Sequence, residues 1–429
     1  MSAGSSSSTA LVLSGGGVRG AYEVGVARGL VDVLGLRPTD APPFDVFTGT
    51  SVGAINAAFL AANTHRGDLD VCTLCDVWRS LRLPQHLRVD PLGLWGGWDA
   101  VKRRFGIGRG ERLLRFGRSV LDPRPLERIV RESIPWQRLR DNIGKGNTRA
   151  LVIAALQVES GRTVMFADVA PDTTFRPSRD PRRRAVVAAL EAGHVLASAA
   201  IPLLFPARRI GDHYYCDGGL RFNTPIAPAI RSGADRLVIV SLAKEHRRGY
   251  DSAMPRELEG QDELDEEIGV DHVPDYPSVQ FLLGKVLNAL LLDPVGYDLQ
   301  VLERFNVLLD VLTASLTPSE LERVHEVLRD SRGARYRRLD TLVFAPSTDI
   351  GKMAGEHVGS RRVEASQVTR WLLGRARSAT GEADLLSYLL FDGTFANRLI
   401  ELGRADVRAR ADEVRAFFTA RSESVRESA

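Results

Sequence analysis

The sequence predicts an α/β fold built on a mostly parallel central sheet. Three observations carry that expectation. Ala10 to Ser14 is a short apolar run that stops at glycines and is followed by helical spacing from Tyr22 to Leu36. Phe44 to Thr48 is a second short run, followed after Gly49 by an alanine-rich helix from Val52 to Ala62. Strand, turn and helix repeated in that order mark a parallel sheet. Third, the runs Ala150 to Val158, Leu237 to Leu242 and Thr341 to Phe344 are continuously apolar rather than alternating. A sheet covered on both faces requires such strands.

Composition narrows the class. A chain of 429 residues with 44% hydrophobic content can bury a large core. The net charge of +3 is small for that size and argues against a nucleic-acid binder. There are three cysteines, Cys72, Cys75 and Cys216, too few and odd in number for a disulfide framework. Cys72 and Cys75 form a C-x-x-C inside a helix-like stretch, but a zinc site needs a second ligand pair. They read as two half-buried thiols, and no metal or cofactor is expected. Met1 to Thr9 is small and polar, without the basic start of a signal peptide. The most apolar long window, Phe281 to Leu302, is interrupted by Lys285, Asp293 and Pro294. The expected location is the cytoplasm, with any membrane contact peripheral.

The chain divides by character. Residues 9–245 hold the candidate core, within which 82–148 are rich in arginine, glycine and tryptophan and read as an insertion. Residues 246–340 combine an acidic, proline-punctuated loop with helical periodicity. A final core strand is expected in 341–350, and helical additions with charged faces in 363–420. Leu385 to Gly403 has strong helical apolar spacing, suited to covering the core or to a dimer contact. A homo-oligomer is therefore left open.

Three motifs carry chemistry. Gly49-Thr50-Ser51-Val52-Gly53 is a G-x-S-x-G between a predicted strand and a predicted helix. A nucleophile elbow needs small residues at both flanks, here Gly49 and Gly53, because the turn is sharp. The helix after it would aim its amides and positive dipole end at the serine. Ser14-Gly15-Gly16-Gly17-Val18-Arg19-Gly20 also joins strand to helix, and its glycines let backbone N–H groups turn outward toward a developing oxyanion. Arg19 could fix this loop or offset oxyanion charge. Gly15, Gly17 and Gly20 also satisfy the G-x-G-x-x-G dinucleotide fingerprint, which expects an acidic residue ending the next strand. That strand runs instead into Ser51. The third motif is Asp217-Gly218-Gly219, a carboxylate at a tight turn after the aromatic strand Tyr214-Tyr215-Cys216. By itself it reads as an ordinary turn aspartate.

Together these motifs resemble the patatin-like phospholipase family in content and order. A fourth block, Ala197-Ser198-Ala199-Ala200-Ile201-Pro202-Leu203-Leu204-Phe205-Pro206, is similar to it too, as is Asn223-Thr224-Pro225 after the aspartate. The resemblance covers roughly residues 9 to 245 plus the strand near Thr341. It implies a patatin-like three-layer sandwich with additional helical segments, and a Ser–Asp dyad without histidine. Ser51 would be the nucleophile and Asp217 its general base. Gly15, Gly16, Gly17, Val18 and Arg19 would form the oxyanion hole, with Gly218 and Gly219 shaping the turn. The implied substrates are acyl esters of phospholipids or lysophospholipids.

Alternatives stand beside this reading. A histidine triad would draw on His194, His213, His246, His272 or His325, of which His213 lies four residues before Asp217. A soluble carboxylesterase or thioesterase would use the same groups, and a nucleotide-binding module would keep only the fold. In 91–118, Trp95, Trp98, Phe105 and Phe116 interleave with Lys102, Arg103, Arg104, Arg109, Arg112, Arg115 and Arg118. That pattern suits a lid or a headgroup interface, or a solvated helix with its aromatic side on the core. The run Arg182-Arg183-Arg184 reads as a solvated loop, and the acidic stretch Glu257 to Asp271 as a loop facing away from anionic lipid.

Overall fold

The computed structural model describes residues 8–82, 121–202, 204–243, 295–332, 337–360 and 387–427. The first half of the chain runs through β1 (Thr9–Leu13), α1 (Gly20–Leu34), β2 (Val46–Thr50), α2 (Val52–Ala61) and α3 (Val71–Arg79). Then come α4 (Arg124–Ser133), α5 (Trp136–Gly144), β3 (Ala150–Gln157), β4 (Thr163–Val169), β5 (Arg183–Val187) and α6 (Ala192–Ser198). The core closes with β6 (Arg208–Ile210), β7 (His213–Asp217), α7 (Ile226–Arg231) and β8 (Arg236–Val240). Two long helices follow, α8 (Val295–Ser315) and α9 (Pro318–Arg332), then β9 (Asp340–Phe344) and α10 (Ile350–Ser360). The last elements are α11 (Gly393–Ala409) and α12 (Ala411–Glu427).

The strands form one sheet in the order β5-β4-β3-β2-β1-β8-β9. Pairings from β3 through β2, β1 and β8 to β9 are all parallel, whereas β4 and β7 run antiparallel to β3. This is the mixed α/β architecture expected, with antiparallel strands added on one side. Side-chain alternation along β1 shows why both faces must be covered. Leu11 and Leu13 enter one apolar cluster with α1, α2 and α11, while Ala10 and Val12 enter a second with Ile226 and Ala229 of α7. The result is three layers, helix on sheet on helix.

The expected strands at Ala150, Leu237 and Thr341 are present as β3, β8 and β9. Arg183 and Arg184 depart from the expected loop and open β5, an edge strand whose charged residues suit an unpaired border. The helix expected from Leu385 is interrupted. A short turn at 387–389 is followed by a fresh helix start at Asp392, whose carboxylate accepts from the amides of Thr394 and Phe395. Cys72 and Cys75 both lie in α3 as free thiols, one exposed and one buried. The aromatic and basic residues of 91–118, the acidic stretch Glu257 to Asp271, His246 and His272 lie outside the described residues. Among the described residues no helix is long and apolar enough to cross a membrane.

On the first face, α11 crosses α1 almost backbone to backbone. A Cβ added at Gly25 would lie 2.2 Å from the Ile400 carbonyl oxygen, and one at Gly403 would lie 2.4 Å from that of Tyr22. Tyr22 donates its hydroxyl to Asp406 at 2.9 Å, and Arg404 pairs with Asp32 at 2.8 Å, so polar contacts fix the crossing from the side. The substitution Gly403→Leu should therefore force the helices apart and cost about 1–3 kcal/mol of unfolding free energy. Urea denaturation with circular dichroism reads this directly, and an unchanged midpoint would contradict the crossing.

Candidate active site

The topology around β3 brings the two candidate catalytic side chains together. Strand β2 accompanies β3 only as far as the pair Thr50–Ala154. Beyond that point the same edge of β3 is taken by β7, which runs the opposite way and ends with Asp217 opposite Ala155. The last residues of two strands thus face consecutive residues of β3, and Ser51 turns off β2 beside Asp217.

Ser51 sits at φ 55 and ψ −123, a region that non-glycine residues rarely occupy and that costs about 1–3 kcal/mol. Its surroundings hold it there. The Ser51 amide donates to the Ser198 hydroxyl at 2.9 Å, and that hydroxyl donates to the Ala154 carbonyl at 2.7 Å. The flanks leave no room for side chains. A Cβ at Gly49 would lie 2.3 Å from the Gly53 carbonyl oxygen, and one at Gly53 would lie 2.5 Å from that of Leu13. Helix α2 starts at Val52, with its amide end at the elbow.

Asp217 is fully buried. Its amide donates to the Ala200 carbonyl at 2.9 Å, and its Oδ1 accepts from the Gly219 amide at 2.7 Å, while Gly218 presses against the Ala154 carbonyl. Burial pushes the carboxyl up to about 7, opposed in part by the Ser51 side chain and the Gly219 amide. The Ser51 side chain is near enough to favour the charged form. Even so, Oδ2 completes no hydrogen bond among the described residues.

The glycine loop is tied down at its start. Gly15 donates its amide to the Asn223 carbonyl at 3.3 Å, and its own carbonyl accepts from the Asn223 side chain at 3.1 Å. Gly17 to Arg19 make one 3₁₀ turn, with Gly17 at φ 59. Among the described residues, no loop or inter-element bond uses the amides of Gly16, Gly17 or Val18. Gly15 therefore anchors the loop, and the next three amides take no part in that anchoring. Arg19 is only 4% exposed and bonds inward, donating Nε to the Ser387 hydroxyl at 2.8 Å. Of the two roles open to it in the sequence, fixing the loop is the one its contacts match.

Sequence reasoning missed the supporting polar groups. Ser198 lies within the fourth block, but nothing local marks its hydroxyl as the elbow's brace. Ser14 meets Thr224 at 2.9 Å, joining the glycine loop to the chain after Asp217. Glu23 is buried under the same loop and held by Asn56, which also accepts from the Trp78 ring nitrogen. Burial raises the Glu23 carboxyl well above its usual range.

Val52, the residue after Ser51, helps line an apolar cleft of about 60 Å³. Ile55, Phe59, Trp78, Phe205 and Phe391 are among the side chains that line it. No hydrogen bond joins a described histidine to Ser51 or Asp217. His194 accepts from the Glu191 amide at the start of α6 and packs on Phe166. His213 begins β7, four residues from Asp217, or about 13 Å along an extended strand. His325 lies in α9.

A family model for the patatin-like phospholipases matches residues 11–230, just over half of the 429-residue chain. The chain belongs to the patatin-like phospholipase family. A curated relative, a cGAMP-activated phospholipase of Pseudomonas aeruginosa, is 30% identical over 220 residues, covering 50% of this chain. The match takes in 53% of that relative, so the chain aligns with about half its length. Among solved structures, VipD from Legionella pneumophila is 16% identical, with a TM-score of 0.31, over 90% of this chain and 67% of its own. Human GIVD cytosolic phospholipase A2, in complex with methyl γ-linolenyl fluorophosphonate, is 13% identical with a TM-score of 0.32. That match covers 97% of this chain and 60% of the phospholipase.

The burial of Asp217 makes a stability prediction for this patatin-like chain. Its folded pKa of about 7 lies above the unfolded value near 3.8, so ionisation opposes folding. This cost is absent below about pH 4, grows as pH rises, and is complete above about pH 7. The isosteric Asp217→Asn should therefore gain stability over wild type with rising pH, by up to about 4 kcal/mol between pH 4 and pH 8. Thermal melts of both proteins across that range give the difference. A gap independent of pH would show that Asp217 is not strained by its charge.

Proposed function

We propose that the protein is a serine acyl hydrolase acting on carboxylic esters of phospholipids or lysophospholipids. The observation that carries this reading is the meeting of Ser51 and buried Asp217 on one edge of β3, next to an apolar cleft that Val52 helps line. Family membership supports lipid ester hydrolysis as the chemistry.

In this reading Ser51 Oγ attacks the ester carbonyl carbon while Asp217 Oδ2 takes the hydroxyl proton. The tetrahedral oxyanion is received by the amides of Gly16 and Gly17, with Val18 next in line. The bond to the leaving oxygen breaks, and Asp217 returns the proton to release the alcohol. Water then attacks the acyl-enzyme, giving its proton to Asp217, and Ser51 leaves with that proton as the fatty acid departs. A carboxyl poised near neutrality is a far better base than an exposed aspartate. The acyl chain occupies the cleft lined by Ile55, Phe59 and Trp78, where each buried methylene contributes about 0.8 kcal/mol. Such a cleft supports a preference for long acyl chains over small soluble esters.

Two measurements test the proposal. A fluorophosphonate probe should label wild-type protein at Ser51, with Ser51→Ala unlabelled and at least about 10³-fold slower on micellar phospholipid. Labelling that survives in Ser51→Ala would end the assignment. The pH profile is the second. The base must be ionised, so kcat/KM should rise tenfold per pH unit on the acid side and level off near pH 7. A plateau extending down to pH 5 would show that the base titrates below 5 and that burial does not raise it.

A further inference from the structure

The segment between the turn at 387–389 and the start of α11 touches both halves of the candidate site. At one end, the Ser387 hydroxyl accepts from Arg19 Nε at 2.8 Å, and the Arg19 guanidinium lies 4.4 Å over the Tyr388 ring. Arg19 and Tyr388 are buried, so this cation–π contact is shielded from water. The backbone of the segment lies directly on the glycine loop. A Cβ at Gly17 would stand 2.3 Å from the Tyr388 carbonyl oxygen, and Gly17 also holds a positive φ of 59 that favours glycine. At the other end, Phe391 lines the apolar cleft. This far end is pinned. The Gly393 amide donates to the Leu81 carbonyl at 2.9 Å, and Asp392 pairs with buried His357 at 3.4 Å while capping α11.

We propose that residues 387–391 are a strap that positions the oxyanion loop against the acyl cleft. Ser387 and Tyr388 are positioning residues acting through Arg19, and Phe391 is a chain-length determinant in the cleft wall. The inference rests on the acyl-hydrolase reading and adds to it. Arg19 follows Gly16, Gly17 and Val18, and its guanidinium is gripped from outside the loop. Releasing that grip frees the 3₁₀ turn that aims their amides. A shift of about 1 Å in such donors is enough to cost about 10²-fold in rate. Phe391 is four residues from Ser387 on the same short segment, so the wall of the cleft and the brace of the loop move together.

The test uses the full chain with p-nitrophenyl butyrate and p-nitrophenyl palmitate, alongside hydrogen exchange of the amides at 15–19. Ser387→Ala should lower kcat about 10- to 100-fold on both esters with KM within about twofold. It should also speed exchange across 15–19 at least about tenfold. Ser387→Thr, which keeps the hydroxyl, should recover most of both. Phe391→Ala should raise KM for the palmitate far more than for the butyrate. Exchange at 15–19 equal to wild type in Ser387→Ala would overturn the strap, as would a kcat loss that Ser387→Thr does not reverse. A wild-type protein inactive on both esters and unlabelled at Ser51 would instead sink the hydrolase reading. The exchange rates at 15–19 would still decide the strap.

Discussion

The site depends on how one edge of β3 is shared. Strand β2 holds it up to Ala154, and β7 takes it from Ala155. Two strands arriving from opposite directions cannot both continue, so each must leave the sheet at the junction. One leaves through the strained turn at Ser51 and the other through the turn at Asp217. Their side chains are neighbours because their backbones compete for the same hydrogen-bonding edge. The Ser198 hydroxyl spans the gap, taking the orphaned Ser51 amide and feeding the Ala154 carbonyl. Without it a buried donor and a buried acceptor would both be unpaired, at about 1–3 kcal/mol each.

Burial at that junction also sets the chemistry. Asp217 receives the Gly219 amide on one oxygen, while its other oxygen is sealed from water and completes no bond among the described residues. The energy that would have gone into solvating a carboxylate appears instead as proton affinity. Glu23 shows the contrast. It is buried too, with one oxygen accepting from Asn56, but it lies under the loop rather than beside the serine. One carboxyl stands beside Ser51, and the other joins Asn56 in a network that reaches Trp78.

The parts legible in the sequence are those whose signal is local. The elbow needs small residues at 49 and 53 because the carbonyls of Gly53 and Leu13 fill the space, and five adjacent letters record that. Strands β1, β3 and β8 are buried on both faces, and their mainly apolar runs announce it. Ser198 was invisible by function because its partners at 51 and 154 lie far away in the chain. The bond from Arg19 to Ser387 spans 368 positions and leaves no local trace at either end. Apolar spacing alone predicted one helix from Leu385. Periodicity does not report the Asp392 carboxylate taking the amides of Thr394 and Phe395, which restarts the helix after a break.

That break has a consequence for where the site ends. The family resemblance stops near residue 230, yet the glycine loop is held on both flanks. Asn223 grips Gly15 from within the matched region, and Ser387 and Tyr388 grip Arg19 from beyond it. The same C-terminal stretch continues into α11, which lies on α1 through Gly25 and Gly403. Because α1 begins at Gly20, directly after the loop, fixing α1 also fixes the loop's exit. The amides at 16–18 are thus positioned by two segments of the chain that are remote in sequence. A chain cut at the end of the matched region would keep the elbow and the aspartate, but it would lose the contacts of Ser387 and Tyr388 with Arg19 and of α11 with α1.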